Sequence, residues 1–404
     1  MSDNRVRCCI VGGGPAGMMA GLLLARAGVS TVLLEKHGDF LRDFRGDTIH
    51  PSTLDVMAEL GLLDEFLARP HQEVTTLAGN LGDTLIQVAD FTHLPTRCKF
   101  IAFMPQWDFL NFVAEQARRY PAFDLRMQAR GDELLWTDGR VVGVRAQTPA
   151  GASKIYADLT IAADGRESIL RQRAGLEPVE LGAPMDVLWL RLTKRPDDPH
   201  ETFGYIRGGR IMALIDRGVY WQCAYVIPKG TLEELKTAGL DAFRGQVSAI
   251  VPFLSDRVGE VQSWDDVKLL TVRVNRLRQW YRPGFLCIGD AAHAMSPIGG
   301  VGINLAIQDA VATANLLTAR LRDGGVTVRD LRAVQRRRET AARLTQALQL
   351  FIQSRIISRV LADGRAPALG RIPALLRWIP FLPRIPGRLV GVGFRPEHVE
   401  TAPS

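Results

Sequence analysis

Three groups of residues, far apart in the chain, have types and spacing suited to holding a phosphorylated cofactor. The first is Gly12, Gly14 and Gly17 in G-x-G-x-x-G spacing, followed by the acid Glu35. In such a turn one glycine reverses the chain, the next lets backbone approach a pyrophosphate, and the third lets a helix lie close to its strand. The acid stands at the distance where a carboxylate meets a ribose hydroxyl. The second group is Asp164-Gly165-Arg166 with Ser168 and Arg171. The third is Gly289-Asp290-Ala291-Ala292-His293, continued by Pro297, Gly299, Gly302, Asn304 and Asp309. There a carboxylate beyond a buried strand can accept from a polyol hydroxyl. Free N–H groups around Gly302 to Asn304 can face a ring that gains negative charge. A flavin has both such a chain and such a ring.

Each group also has a plainer reading. A lone glycine pattern is an ordinary turn, and Asp164-Gly165 alone fits a turn equally well. His293 invites the role of a base but fits a structural one better within its motif. His50 reads as a solvated loop residue. The run Arg336 to Arg338 reads as a solvated helix face.

The elements that must position these groups follow from periodicity and punctuation. An apolar strand from Val6 runs into the glycine turn, and a helix from Pro15 to Ala27 is closed by Gly28. A second strand, Thr31 to Leu34, delivers Glu35. A helix starts at Pro51 and stops at Gly61, another covers Gln106 to Arg119, and Asp138-Gly139 marks a hairpin. Leu159 to Ala163 and Phe285 to Ile288 read as buried strands leading into the second and third groups. Between Pro184 and Pro228 several short β-rich runs indicate an antiparallel meander. Helices are predicted over Gly302 to Arg322 and Thr327 to Val360.

The fold class expected is therefore α/β: a Rossmann-like binding domain, an inserted antiparallel β-sheet domain, and a helical C-terminal region. The spans are 1–180 and 271–370 for the binding domain and 181–270 for the insert. Residues 371–404 form a segment whose four prolines between Arg371 and Gly387 forbid one continuous amphipathic helix, so it packs over the domain junction.

Taken together, the three motifs in this order resemble the FAD-dependent aromatic hydroxylases, the group A flavoprotein monooxygenases that include para-hydroxybenzoate hydroxylase. The resemblance implies that Gly12, Gly14 and Gly17, with Ala16 beside them, hold the FAD pyrophosphate. It places Glu35 and Lys36 at the adenosine ribose and Arg45 and Gln106 on the cofactor. Asp290 would hold the ribityl chain, Pro297 would line the reactive face, and Gly299, Gly302, Ile303 and Asn304 would meet the pyrimidine end. Asp164, Gly165, Arg166 and Arg171 match a segment associated with both FAD and the nicotinamide. The implied activity takes NADH or NADPH as co-substrate and passes one atom of O2 from a flavin C4a-hydroperoxide to an electron-rich aromatic carbon.

The insert carries the substrate expectation. Its strand Ile211 to Ile215 has no cation where benzoate-hydroxylating relatives place an arginine. Met212, Leu214, Gln222 and Ala224 are the expected pocket residues, favouring a lipophilic aromatic. A flavin reductase of polyprenyl-type lipids, or a flavoprotein that only sequesters a hydrophobic ligand, are the rival functions. A halogenase is disfavoured because Cys223-Ala-Tyr225-Val-Ile227-Pro228 lacks both tryptophans of W-x-W-x-I-P.

Composition sets outer bounds. With 404 residues, 47% hydrophobic and 23% charged, the chain can bury a large core. Its net charge of +7 comes from scattered arginines, not an aromatic-interleaved stripe, so nucleic acid is not an expected partner. Five cysteines without a C-x-x-C pair read as buried thiols of a reducing, cytoplasmic compartment. The apolar run after Arg7 is too short for a signal peptide, and no run reaches the ~18 residues of a membrane span. No metal cluster is expected, and the chain is read as a monomer or homodimer.

Overall fold

Strand Arg5–Val11 lies at the middle of the principal sheet, with Cys8 to Val11 buried. Both faces of a parallel sheet are covered by helices, so its inner strands are apolar throughout. The computed structural model describes residues 5–41, 48–82, 84–199, 203–363 and 381–404. Thr31–Leu34 pairs with the first strand on one side and Gly151–Ala162 on the other, both in parallel. Phe123–Arg126 and Phe285–Cys287 extend the parallel order outward. The expected hairpin is present as Arg130–Thr137 and Arg140–Thr148, with φ of 48° at Asp138 and 71° at Gly139.

The helix after the glycine turn runs Pro15–Arg26 and is stopped by Gly28 at φ 75°. Its buried residues pack against Gly302–Arg322, whose bounds match the expected helix. The long helix expected beyond it is Val328–Ile352, opened by a Thr327/Asp330 capping box. One π-type turn, Gln353–Ile357, interrupts it before Ser358–Asp363. No helix among the described residues is long and apolar enough to cross a membrane.

The β-rich region builds a seven-stranded sheet. Met185–Thr193, Tyr220–Pro228, Arg210–Asp216 and Phe203–Arg207 form the antiparallel meander, and Lys268–Leu270 closes one edge. The other edge comes from outside 181–270: Thr76–Leu81 joins Phe203–Arg207 in parallel, and Thr84–Asp90 follows. These two strands alternate only loosely, and long-range pairing assigns them to this sheet. Helix Leu240–Ile250 covers one face, burying Phe243 and Val247 against Leu188, Leu190, Trp221 and Tyr225.

Of the C-terminal segment, 371–380 lies outside the described residues. Beyond it, helix Arg384–Gly391 lies on Thr84–Asp90 so closely that a Cβ at Gly387 would sit 2.1 Å from the Asp90 carbonyl. Val390 and Val392 pack with Phe91, Ile101 and Phe103 beneath the sheet, and Ser404 donates to the Arg26 carbonyl.

Candidate functional site

The glycines of the first turn differ in what surrounds them. A Cβ on Gly12 would lie 2.3 Å from the Ala163 carbonyl, and one on Gly17 would lie 1.9 Å from the Gly12 carbonyl. These two glycines are required by the protein's own packing. Gly14 has nothing within 4 Å of its Cβ position, so the space above it is open. Helix Pro15–Arg26 starts there without a side-chain cap, and first-turn N–H groups such as those of Ala16 and Gly17 have no partner inside a helix. Glu35, buried at the end of its strand, accepts from the N–H of Gly13 at 2.8 Å and of His37 at 3.0 Å. It braces the turn as well as lying beside it. Lys36 is exposed, and Gln106 is half-buried at the start of helix Gln106–Ala117. Arg45 lies outside the described residues.

The second and third motifs meet in space. Asp164 accepts from the Ser168 hydroxyl and from the Ile169 N–H at 3.0 Å, so it nucleates the short helix Ile169–Arg173. Burial pushes its carboxyl above the usual range, against these donors. Arg171, 4% exposed, donates to the Ala291 carbonyl at 3.1 Å and to the Arg166 carbonyl at 2.9 Å. Arg166 in turn approaches Asp290, Nε to Oδ2, at 3.9 Å. The turn carrying Asp290 packs onto the first helix: a Cβ at Gly289, where φ is 58°, would come within 3.0 Å of the Ala16 Cβ.

Beneath that turn lies a buried charge network. Asp309 accepts from the Gly289 N–H at 3.0 Å, contacts His293 Nε2 at 2.6 Å and pairs with Arg338 at 3.0 Å. Burial works to raise the Asp309 carboxyl, but His293 and Arg338 outweigh it and hold it below the usual range. His293 is structural, as its motif suggests. Arg338 is not on a solvated face: it is 1% exposed and also pairs with buried Glu397. Its position on the stripe Leu331, Val334, Arg338, Ala341 was the available signal.

The segment with Pro297 is held by glutamines from the same helix region, which sequence reasoning missed. Gln349 donates to the carbonyls of Ser296 and Ile298, both at 2.9 Å, and accepts from the Ser296 N–H. Gln346 donates to the Ala294 carbonyl at 3.0 Å and Gln353 to the Ser296 hydroxyl at 2.6 Å. Buried amides must be paired, so these contacts fix the backbone around Pro297. Gly299, at φ 76°, then carries the chain into helix Gly302–Arg322, which begins with no side-chain cap. The first-turn N–H groups of Gly302, Ile303 and Asn304 are thus directed out of the helix end. The Asn304 side chain is otherwise engaged, accepting from the His50 N–H at 2.9 Å and the Thr53 hydroxyl at 2.7 Å.

His50 is fully buried, correcting the expectation of a solvated loop residue. Its Nδ1 lies 2.7 Å from the Val390 carbonyl. Burial lowers its pKa to about 4, against that contact, so the ring is neutral at ordinary pH.

Strand register divides the four expected pocket residues between two faces of the sheet. Met212 lies opposite Tyr225 and Leu214 opposite Cys223, whereas Gln222 faces Ile215 and Ala224 faces Ala213. Directly opposed residues share a face, so Met212 and Leu214 do not share one with Gln222 and Ala224. Met212 and Leu214 are buried in the core under helix Leu240–Ile250. The other face carries Ala213, Ile215, Gln222, Ala224 and Trp189, and Ile215 packs with Ile101, Phe103 and Val390 near His50. A cation from the following turn reaches this face as well: Arg217 donates to Gln222 at 3.1 Å.

A family model described as an FAD binding domain matches residues 5–348. The chain belongs to the FAD-dependent aromatic hydroxylases. The 6-methylpretetramide 4-monooxygenase of Streptomyces rimosus is 33% identical over 372 residues, covering 91% of this chain and 87% of that one. The para-nitrophenol 4-monooxygenase of a Pseudomonas strain is 24% identical, covering 79% of each. The FAD-dependent enzyme PqsL of Pseudomonas aeruginosa shares the fold with a TM-score of 0.75 at 20% identity, over 89% of this chain and 99% of that one. The hydroxylase is accordingly an FAD-dependent monooxygenase with NAD(P)H as reductant. Its residues fit the cofactor: an open, glycine-lined approach at Gly14, a buried acid at Glu35 and a second uncapped helix end at Gly302. FAD, when bound, supplies electron storage and oxygen activation. The protein's part would be to seat the phosphates at Gly14, hold the polyol at Asp290, and keep Pro297 and the Gly302 N–H groups against the ring.

Proposed function

We propose that this hydroxylase uses NADH or NADPH and O2 to hydroxylate a lipophilic, fused-ring aromatic compound carrying a phenolic or enolic oxygen. The carrying observation is the sheet face of Ala213, Ile215, Gln222, Ala224 and Trp189, apolar over most of its extent and polar at the Arg217–Gln222 end. An apolar floor favours a broad aromatic body, and a guanidinium at one edge favours an oxygen able to bear negative charge. Likeness to an enzyme named for 6-methylpretetramide supports the same substrate class. In this reading Gln222 and Ala224 remain substrate residues, Ala213, Ile215 and Arg217 join them, and Met212 and Leu214 serve the core. FAD is held by Gly12, Gly14, Ala16, Gly17, Glu35, Lys36, Arg45, Gln106, Asp164, Asp290, Pro297, Gly299, Gly302, Ile303 and Asn304. Five buried, unpaired thiols support a reducing, cytoplasmic setting, with the chain working as a monomer or homodimer.

The test is anaerobic reduction of the holoprotein by NADH and by NADPH, with and without fused-ring phenols, quinolones and hydroxybenzoates. Readmission of 18O2 then follows. Fused-ring phenols should accelerate reduction most and emerge with one labelled oxygen. Faster reduction by hydroxybenzoates, or peroxide as the sole oxygen product with every compound, would refute the proposal.

A further inference from the structure

Away from the flavin cradle, a groove of about 940 Å3 runs between helices Gly302–Arg322 and Val328–Ile352 and the chain at Arg395 to Glu397. Leu316 in its wall is fourteen residues along its helix from Gly302, about 21 Å at the α-helical rise. Five arginines line it: Arg329, Arg332, Arg336 and Arg337 on one side and Arg395 on the other. The single carboxylate in the lining, Glu397, is 3% exposed and already shared between Arg337 and Arg338. Among the described residues, Arg332 reaches only the Tyr281 hydroxyl, at 3.0 Å. Arg336 and Arg395 are exposed and have no ion pair among the described residues. Arg395 adopts φ 51°, uncommon for a residue with a side chain, and its carbonyl accepts from buried Arg338 at 3.1 Å. The long helix therefore fixes the backbone that carries this guanidinium to the groove.

We propose that this groove is a second ligand site, which binds an anion bearing two or more phosphoryl groups. Guanidinium forks match phosphate oxygens two at a time, and several of them converging on one concavity favour multiple charge in a small ligand. The rest of the lining, Leu316, Ala333 and Pro396, is apolar and suits the face of a ring. The volume is that of a small-molecule pocket. Nine residues line it, short of the 20–30 per side of a stable protein interface. A nucleotide and a free polyphosphate share this chemistry.

The test uses holoprotein saturated with FAD, which occupies the flavin's own nucleotide site, at low ionic strength. Titration calorimetry is run with ATP, with inorganic tripolyphosphate and with phosphatidylglycerol vesicles. At least one soluble probe should bind at one per chain. Tighter ATP assigns the site to nucleotides; equal affinities assign it to free polyphosphate. The double variant Arg336→Glu/Arg395→Glu should lose at least tenfold in affinity with unchanged FAD content and melting temperature. Should that variant fold poorly, Ala333→Glu places a carboxylate in the lining and should give the same loss. Absence of binding by both soluble probes, binding to vesicles alone, or undiminished affinity in a folded variant would overturn the proposal.

Discussion

Arg171 donates to the main-chain carbonyl of Ala291 at 3.1 Å, joining the Asp164-Gly165 segment to the turn that carries Asp290. The pair is buried, so neither group can exchange its partner for water. Arg171→Met keeps the aliphatic stem but leaves that carbonyl unpaired, at a cost of about 1–3 kcal/mol. The variant should bind FAD at least tenfold more weakly, measured by fluorescence on reconstituting apoprotein. Unchanged affinity would show that the two motifs act independently on the cofactor.

The glycines of the first turn should separate by substitution. Gly14→Ala places a methyl in open space, so the apoprotein should melt normally while FAD affinity falls. Gly17→Ala drives a methyl into the Gly12 carbonyl and should destabilise the apoprotein itself by about 1–3 kcal/mol or more. Thermal melts of both apoproteins, set beside their flavin content, decide the matter. Equal melting temperatures would contradict the packing described for Gly17.

His50 makes stability depend on pH. Its pKa is about 4 when folded, against 6.5 for the free side chain, so between these values the unfolded chain binds the extra proton. Stability from this residue is therefore fully present above pH 6.5 and is lost as pH falls through 4, by about 3 kcal/mol in all. His50→Asn retains a residue suited to start the helix at Pro51 and should flatten the urea-denaturation profile over that window. An identical slope in the variant would exclude His50 as its source.

The two faces of the seven-stranded sheet should respond differently. Leu214→Ala opens a cavity under helix Leu240–Ile250 and should cost about 2–5 kcal/mol, leaving substrate preference unchanged. Ala213→Trp, one residue earlier on the opposite face, should keep its FAD and raise KM for fused-ring phenols about tenfold or more. Steady-state kinetics on that panel checks both. A change of preference in Leu214→Ala would reverse the face assignment.

By itself the sequence determined the features that are local in the chain. Gly12, Gly14 and Gly17 report backbone conformation and close approach within a few residues, and helix Gly302–Arg322 is bounded by its own signals. The meander between Met185 and Pro228 was legible because each of its strands carries its own β-rich run. Tertiary structure decided whatever depends on partners distant in sequence. Thr76–Leu81 joined the seven-stranded sheet by pairing with a strand more than a hundred residues later, and Thr84–Asp90 followed it. Which face of Arg210–Asp216 meets the cofactor domain turned on a one-residue register with Tyr220–Pro228, and period two sends Leu214 to the opposite side from Gln222. His50 and Arg338 look solvated in a linear reading because burial of a polar group is stable only with partners supplied from elsewhere: Val390 and Asn304 for one, Asp309 and Glu397 for the other.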